Sequence, residues 1–139
     1  MNIEKWTAKM QEAIQKAITM ASEKGHQVVD VEHFLLALLE DSAGILYRVL
    51  SRSNVDIASL QNKLLNRLQS KPVVSNVDIN SIRISYDLNQ LINLSDKQMH
   101  KFKDEYLSVE HLIMALFELN SSWIKDLLNE YHLNRKDVK

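Results

Sequence analysis

The 139-residue sequence contains no cysteine, one proline and two glycines. The lack of cysteine excludes disulfides, thiolate metal sites and cysteine nucleophiles, and it suits a reducing compartment. Few glycine and proline residues favour long helices over a turn-rich sheet. A length of 139 residues is enough for one domain with a buried core.

The sequence also lacks an excess of charge of either sign and any long apolar run. The net charge is −1, so electrostatics give no reason to expect nucleic acid or an anionic membrane as a partner. No segment reaches the length of a membrane-spanning helix, and the first residues carry no apolar signal region. We therefore expect a cytoplasmic protein.

One stretch occurs twice. Residues 31–40 read VEHFLLALLE, and residues 109–118 read VEHLIMALFE, an offset of 78 positions. The same offset aligns apolar residues on both sides, such as Met10 with Leu88 and Ile14 with Ile92. A constant offset indicates one structural unit used twice. We predict one domain spanning residues 1–139, with repeat one at 6–69, a connector at 70–83 and repeat two at 84–139.

Helix signals recur along both repeats. Apolar residues at steps of three and four predict a helix after Thr7, which ends at Gly25, and a matching helix after Ser85. Asp30 and Ser108 are predicted caps of the two repeated apolar helices, which we place at the centre. Further caps predicted are Asp56, Ser121 or Ser122, and Asn134. The prediction is an all-α, eight-helix pseudo-twofold bundle of two tandem four-helix repeats.

Two Glu-His dipeptides, at residues 32–33 and 110–111, raise the question of a metal site. Adjacent residues on a helix point about 100° apart, so one dipeptide cannot aim both side chains at one ion. We expect each histidine to cap or pack at a helix start and each glutamate to complement the helix dipole. The other three histidines, at positions 26, 100 and 132, are expected to be exposed.

No catalytic set is recognisable. The two glycines are not part of a phosphate-binding loop, and most serine and aspartate residues fall where helix caps are expected. We predict no enzyme activity, no metal and no cofactor in this domain. The methionines and aromatic residues have two interpretations: most form core, and a minority lines an adaptable groove between the copies.

The repeated motif resembles the double Clp N-terminal repeat, which opens the Clp/ClpB class of AAA+ unfoldases. The resemblance rests on Thr7 and its helix, on the pair Gly25-His26, and on the two copies of the VEH motif. The opening sequence MNIEKWT and the segment KDEY before the second motif are most similar to the ClpB-like disaggregases. In the ClpC-like branch Gly-Thr usually precedes both Glu-His pairs.

The resemblance implies a mobile, all-helical N-terminal domain on a hexameric ATPase, whose other domains bind ATP and Mg²⁺. Such domains engage unfolded or aggregated polypeptide or dock adaptor proteins. In the ClpB-like family, the positions of Thr7, Asp104 and Glu110 are implicated in substrate handling. The resemblance also implies that Glu32 and Glu110 correspond to an acidic pair, which recognises phosphoarginine in the ClpC-like branch.

We therefore predict binding in a groove between the copies, with the isolated domain monomeric. The predicted walls are Met10, Ile92, Met99 and Tyr106, and the predicted rim is Asp104 and Glu110 near Thr7. Two alternatives remain at this point. One is an adaptor-docking domain of a ClpC-like or secretion-associated Clp ATPase, and the other is a freestanding Clp-repeat adaptor.

Overall fold

The computed structural model describes residues 3–138, most of which lie in α-helices. In chain order these are α1 (Ala8–Glu23), α2 (Val31–Leu39), α3 (Ile45–Arg52), α4 (Ile57–Gln69), α5 (Tyr86–Lys101), α6 (Val109–Leu116) and α7 (Ser122–Glu130). Three 3-10 turns cover Ile3–Lys5, Ile79–Ser81 and Arg135–Val138. The predicted all-helical class is confirmed. The helix predicted after Asn134 is, in the described residues, the last of these 3-10 turns.

Polar side chains begin the helices where the sequence predicts. The Thr7 hydroxyl accepts a hydrogen bond from the backbone N–H of Met10 at 3.3 Å, and the Ser85 hydroxyl accepts from Leu88 at 3.0 Å. Asp30 and Ser108 begin α2 and α6, each with a reciprocal capping box. Each cap satisfies backbone donors that a helix start leaves unpaired. The predicted caps at Thr7, Asp30, Asp56, Ser85 and Ser108 are confirmed, whereas Ser121 begins α7 without a side-chain capping hydrogen bond.

The helices α1 and α5 end in the same way. Gly25 follows α1 with a φ of 76°, and Lys103, at the corresponding position after α5, has a φ of 59°. A residue in the left-handed backbone conformation commonly ends a helix, and glycine adopts that conformation without strain. Gly25 also lies against the connector, since a Cβ there would sit 2.7 Å from the carbonyl oxygen of Val74.

Two short parallel pairings join the repeats. Strand β1 (Val28–Val29) pairs with β2 (Arg83–Ile84), and Trp6 forms an isolated bridge with Leu107. The 78-residue offset relates one pairing to the other. Trp6 of the bridge corresponds to Ile84 of β2, and Leu107 of the bridge corresponds to Val29 of β1. The sequence did not predict them, since two residues are too short to show a strand period.

The two repeated helices lie at the centre of the molecule. All nine residues of α2 are buried, and so are most residues of α6, including Leu112, Ile113 and Leu116. The large apolar side chains of α1, α4 and α5 pack into the same core, among them Met10, Leu64 and Leu88. The predicted central position of both helices is confirmed.

Candidate functional site

A groove of about 430 Å³, called the open groove below, lies between the two repeats. It runs between α1, the segment from the end of α2 into α3, and the first turn of α6. Its lining residues are Thr7, Lys9, Glu12, Ala13, Lys16, Ala37, Leu38, Asp41, Ala43, Gly44, Ile45, Leu46, Arg48, Ser108, Val109 and Glu110. The groove therefore combines an apolar interior with charged edges.

Small side chains create the recess. Ala13 of α1 and Ala37 of α2 are both buried in the groove lining, where larger residues would fill the space. Ile45 and Leu46 supply the apolar surface at the start of α3. Such a surface can take apolar side chains of a partner, and burying them is favourable because it removes apolar area from water.

Ion pairs line one edge of the open groove. Lys9 Nζ lies 3.3 Å from Asp41 Oδ2, and Lys16 Nζ lies 3.8 Å from Glu40 Oε2. The hydrogen bond from Lys9 holds the pKa of Asp41 below its ordinary value. Exposed pairs of this kind add little stability. Their main effect here is to neutralise this edge.

The opposite edge carries two of the predicted site residues, Thr7 and Glu110. The backbone N–H of Thr7 donates to the carbonyl oxygen of Leu107 at 3.0 Å, which ties the start of α1 to the segment before α6. Glu110 is exposed in the first turn of α6 and makes no ion pair with the described residues. The structure thus places one uncompensated carboxylate at this edge.

Asp104 lies outside the open groove and supports its edge through His111. The N–H of Ser108 donates to Nδ1 of His111 at 2.9 Å, so this nitrogen must be unprotonated. The neutral ring therefore carries its proton on Nε2, which donates to Asp104 Oδ2 at 2.7 Å. Asp104 thereby orients the histidine that caps α6, next to Val109 and Glu110.

Four predicted groove walls are not placed in the open groove. Met10, Ile92 and Met99 are 0%, 5% and 5% exposed and belong to the core. The prediction of these three as surface walls is wrong, because they lie on the same inward helix faces as the rest of the core. Tyr106 is 54% exposed, yet it does not line the open groove.

Glu32 and Glu110 do not form a surface acidic pair. Glu32 is 1% exposed, and its Oε2 accepts a hydrogen bond from Nε of Arg67 at 3.0 Å. Glu32 is therefore not available for the acidic pair with Glu110 that the resemblance implies. The physical reason is α4, whose last turn brings Arg67 over this carboxylate.

His26 is buried, which contradicts the expectation that it is exposed, whereas His100 and His132 are exposed as expected. Its Nδ1 lies 2.9 Å from Nε2 of His33, whose own Nδ1 accepts from the N–H of Asp30. Burial lowers the pKa of both histidines, and that of His33 falls to about 4. Both rings are thus neutral, and His33 is a capping residue as predicted.

Two kinds of feature are absent from residues 3–138. No group of three or more histidine, aspartate or glutamate side chains could hold a metal ion. No helix in this range is long and apolar enough to cross a membrane.

Most of the charged residues of the groove are not among the site residues predicted from the sequence, namely Lys9, Glu12, Lys16, Asp41 and Arg48. The sequence of α1 does contain a pattern that indicates this charged face. Lys9, Glu12 and Lys16 recur at steps of three and four with Ala13, so they share one helix face. A charged stripe beside a buried alanine indicates a recess that a neighbouring helix does not fill.

The chain is similar to one known protein family over nearly its whole length. A family model described as the Clp repeat (R) N-terminal domain matches residues 5–131. The chaperone protein ClpB of Bacillus cereus is 34% identical over 140 residues, and that of Vibrio cholerae is 33% identical over 138. Each match covers 99% of this chain but only 16% of the relative.

Solved structures show the same fold. The Hsp104 N-terminal domain from Candida albicans has a TM-score of 0.79 at 22% identity, covering 96% of this chain and 86% of that one. The N-terminal domain of the ClpV1 ATPase from E. coli has a TM-score of 0.82 at 22% identity, with coverages of 98% and 82%. A ClpV N-domain in complex with VipB peptide has a TM-score of 0.77 at 19% identity, with coverages of 99% and 84%.

Proposed function

The chain belongs to the Clp repeat N-terminal domain family, and from that premise we propose that it is the recognition module of a ClpB-like disaggregase. In this proposal it binds unfolded or aggregated polypeptide and passes it to a hexameric ATPase. As a Clp repeat N-terminal domain it is not itself catalytic, and its sequence contains no GxxxxGK[ST] loop of an ATPase. ATP and Mg²⁺ belong to the ATPase domains of the proposed full-length protein, which is cytoplasmic.

The observation that carries the proposal is the open groove between the repeats. Its small and apolar lining residues accept apolar side chains, and the carboxylate of Glu110 stands at its edge without an ion-pair partner among the described residues. Unfolded polypeptides expose apolar side chains, often flanked by lysine and arginine. The groove therefore suits segments that carry both.

Binding in this groove is expected to be weak and tolerant of sequence. Ordering a flexible polypeptide costs conformational entropy, and a shallow groove offsets only part of that cost. Lys9 and Lys16 are already paired, so the charged lining residues without an ion-pair partner among the described residues are Glu110, Glu12 and Arg48. Weak binding lets a client be released towards an ATP-driven pore.

A second candidate is the docking of a dedicated adaptor. It is favoured by the structure of a ClpV N-domain with VipB peptide, which shares this fold. In that case the groove takes one defined segment with high sequence selectivity. A freestanding Clp-repeat adaptor uses the same groove without an attached ATPase. Sequence beyond residue 139 separates these alternatives, because a phosphate-binding loop there identifies an ATPase subunit.

Site-specific photocrosslinking tests the proposal. A benzophenone amino acid is placed at Lys16, which lines the open groove, or at Asn129, which is exposed on α7 outside it. The account predicts that a permanently unfolded polypeptide crosslinks to position 16 and not to position 129. Equal crosslinking at both positions contradicts binding in the groove.

A second comparison separates clients from a dedicated adaptor. Several unrelated unfolded polypeptides are presented to the chain that carries the crosslinker at position 16. Crosslinking of all of them supports client recognition. Crosslinking of none, while a single defined segment is captured, supports the adaptor alternative.

A further inference from the structure

A second groove, called the amide groove below, lies next to the open groove along α1. Its volume is about 670 Å³, and it runs between α1, the end of α2 and α4. Its lining residues are Gln15, Lys16, Thr19, Met20, Glu23, Lys24, Leu36, Glu40, Gln61, Asn62 and Leu65. Uncharged polar side chains are prominent in this lining, so hydrogen bonding is a large part of its chemistry.

The two grooves are continuous at Lys16, which lines both of them. Its Nζ lies 3.8 Å from Oε2 of Glu40, and this ion pair marks the boundary between the grooves. One exposed face of α1 runs through both grooves, with residues at steps of three and four, namely Lys9, Glu12, Lys16, Thr19 and Glu23. The grooves are therefore two parts of one surface along a single helix face.

The amide groove presents hydrogen-bonding groups that the fold does not use. The side chains of Gln15, Thr19, Gln61 and Asn62 make no hydrogen bond with any residue in the described range 3–138. Each side-chain amide offers both donors and an acceptor. Every residue of a polypeptide other than proline likewise carries one backbone donor and one backbone acceptor. These groups can therefore bind the backbone of a segment whatever its side chains are.

The rest of the lining does not select for charge. Leu36 is 6% exposed, and the half-buried Met20 and Leu65 pack beside it against the core. The four charged lining residues are two lysines and two glutamates, so their charges cancel. The amide groove thus combines a small apolar base with a neutral polar surface, and it suits segments of varied sequence.

The dimensions of the surface set the length of segment that it can hold. The open groove runs along α1 from Thr7 to Lys16, which is about 14 Å at the helical rise of about 1.5 Å per residue. Both grooves together run from Thr7 to Lys24, about 26 Å. An extended polypeptide rises about 3.3 Å per residue, so about four residues span the open groove and about eight span both.

We propose that the amide groove continues the polypeptide site, so that one extended segment of about eight residues lies along α1. The inference rests on the proposed function, because it takes the open groove as a polypeptide site. Apolar side chains of the segment enter the open groove, and its backbone is hydrogen-bonded in the amide groove. The segment crosses the Lys16–Glu40 pair, whose side chains are 51% and 53% exposed and cost little to displace.

NMR titration with peptides of two lengths tests this inference. The short peptide has four residues, leucine, valine, leucine and arginine. Two longer peptides carry the same four residues with four serines added before or after them. At least one longer peptide is expected to bind the wild-type chain about tenfold more tightly, because the added backbone gains hydrogen bonds in the amide groove. Equal affinities of all three peptides overturn the inference.

A matched pair of variants locates the gain. Asn62→Trp fills the amide groove, and Asn129→Trp makes the same substitution at an exposed position of α7 that lines neither groove. Asn62→Trp is expected to bind the short peptide as the wild type does and to lose the gain from the four serines. Asn129→Trp is expected to keep that gain. A gain that persists in Asn62→Trp overturns the inference, as does the binding of two short peptides per chain, which shows two separate sites.

A measurement on the wild-type chain decides the matter if Asn62→Trp fails to fold. A benzophenone amino acid is placed at the serine end of the tighter-binding longer peptide, and mass spectrometry identifies the crosslinked residues. Crosslinks are expected at residues 61–65 of α4. Crosslinks confined to other elements overturn the inference.

The two proposals fail in distinguishable ways. Binding of the short peptide in the open groove without any gain from the serines overturns the inference and leaves the proposed function intact. Binding that Asn62→Trp abolishes for all three peptides, while Glu110→Lys does not change it, contradicts the open groove and the continuity alike. A wild-type chain that binds none of the peptides contradicts both proposals.

Discussion

The Nε2 atom of His111 lies 2.7 Å from Oδ2 of Asp104, and this contact fixes the start of α6. In repeat one the same two positions are His33 and His26, whose ring nitrogens lie 2.9 Å apart. Both repeats thus fix a capping histidine with a hydrogen-bond acceptor seven residues before it. A carboxylate and an imidazole perform the same task.

This equivalence predicts how Asp104 acts on the open groove. Asp104→Ala leaves the Nε2–H of buried His111 without an acceptor and should cost about 1–3 kcal/mol of unfolding free energy. Asp104→Asn and Asp104→His keep an acceptor and should retain both stability and client binding. Melting curves and client titrations of the three variants check this. Lost binding in the folded Asn and His variants would instead show that the charge of Asp104 contacts the client.

The buried histidine pair predicts acid sensitivity. Burial lowers the pKa of His33 to about 4 from its ordinary value of 6.5. A lowered folded-state pKa stabilises the fold above pH 6.5, and this contribution is lost as the pH falls towards 4. The loss is on the order of 3 kcal/mol. Urea unfolding of the wild type at several pH values measures it.

His33→Gln is the matched control for this pH dependence. A glutamine at the same position can still accept from the N–H of Asp30 but does not titrate. The stability difference between wild type and His33→Gln should shrink as the pH falls from 6.5 to 4. A constant difference across that range rules out His33 as the source.

The central helices predict large costs for truncating their leucines. Leu38 and Leu116 occupy corresponding positions in α2 and α6 and are 8% and 6% exposed. Leu38→Ala and Leu116→Ala should each lower the unfolding free energy by about 2–5 kcal/mol. Val73→Ala, at a side chain that is 68% exposed, is the control and should change it little. An unchanged melting temperature in either leucine variant is incompatible with a central helix.

The two left-handed helix ends predict effects of opposite sign. Gly25→Ala places a Cβ 2.7 Å from the carbonyl oxygen of Val74 at a φ of 76°, and should cost more than about 1 kcal/mol. Lys103→Gly relieves the strain of a non-glycine residue at a φ of 59° and should raise the melting temperature. Thermal unfolding of both variants measures the difference. Effects of the same sign would contradict this account of the helix ends.

The sequence predicted the parts of the fold that depend on local signals. The offset, the caps at Thr7 and Ser108, and the central helices follow from residue types and periodicity. The locations of the other residues, such as Met10 and Glu32, depend on tertiary contacts. Periodicity showed that Met10 faces inward but could not show whether a groove or a core lies there. Glu32 is buried because Arg67, 35 positions away, covers it, and no local pattern reports that contact.

The central claim is that polypeptide binds in the open groove beside Glu110, and a matched pair of charge reversals tests it most directly. Glu110→Lys changes the groove edge, and Asp126→Lys makes the same change in net charge at an exposed position outside the groove. Dissociation constants for an unfolded client are measured by fluorescence anisotropy, with melting curves for both variants. The account predicts binding weakened about tenfold or more in Glu110→Lys and nearly unchanged in Asp126→Lys, at equal stability. Equal affinities of the two variants would contradict it.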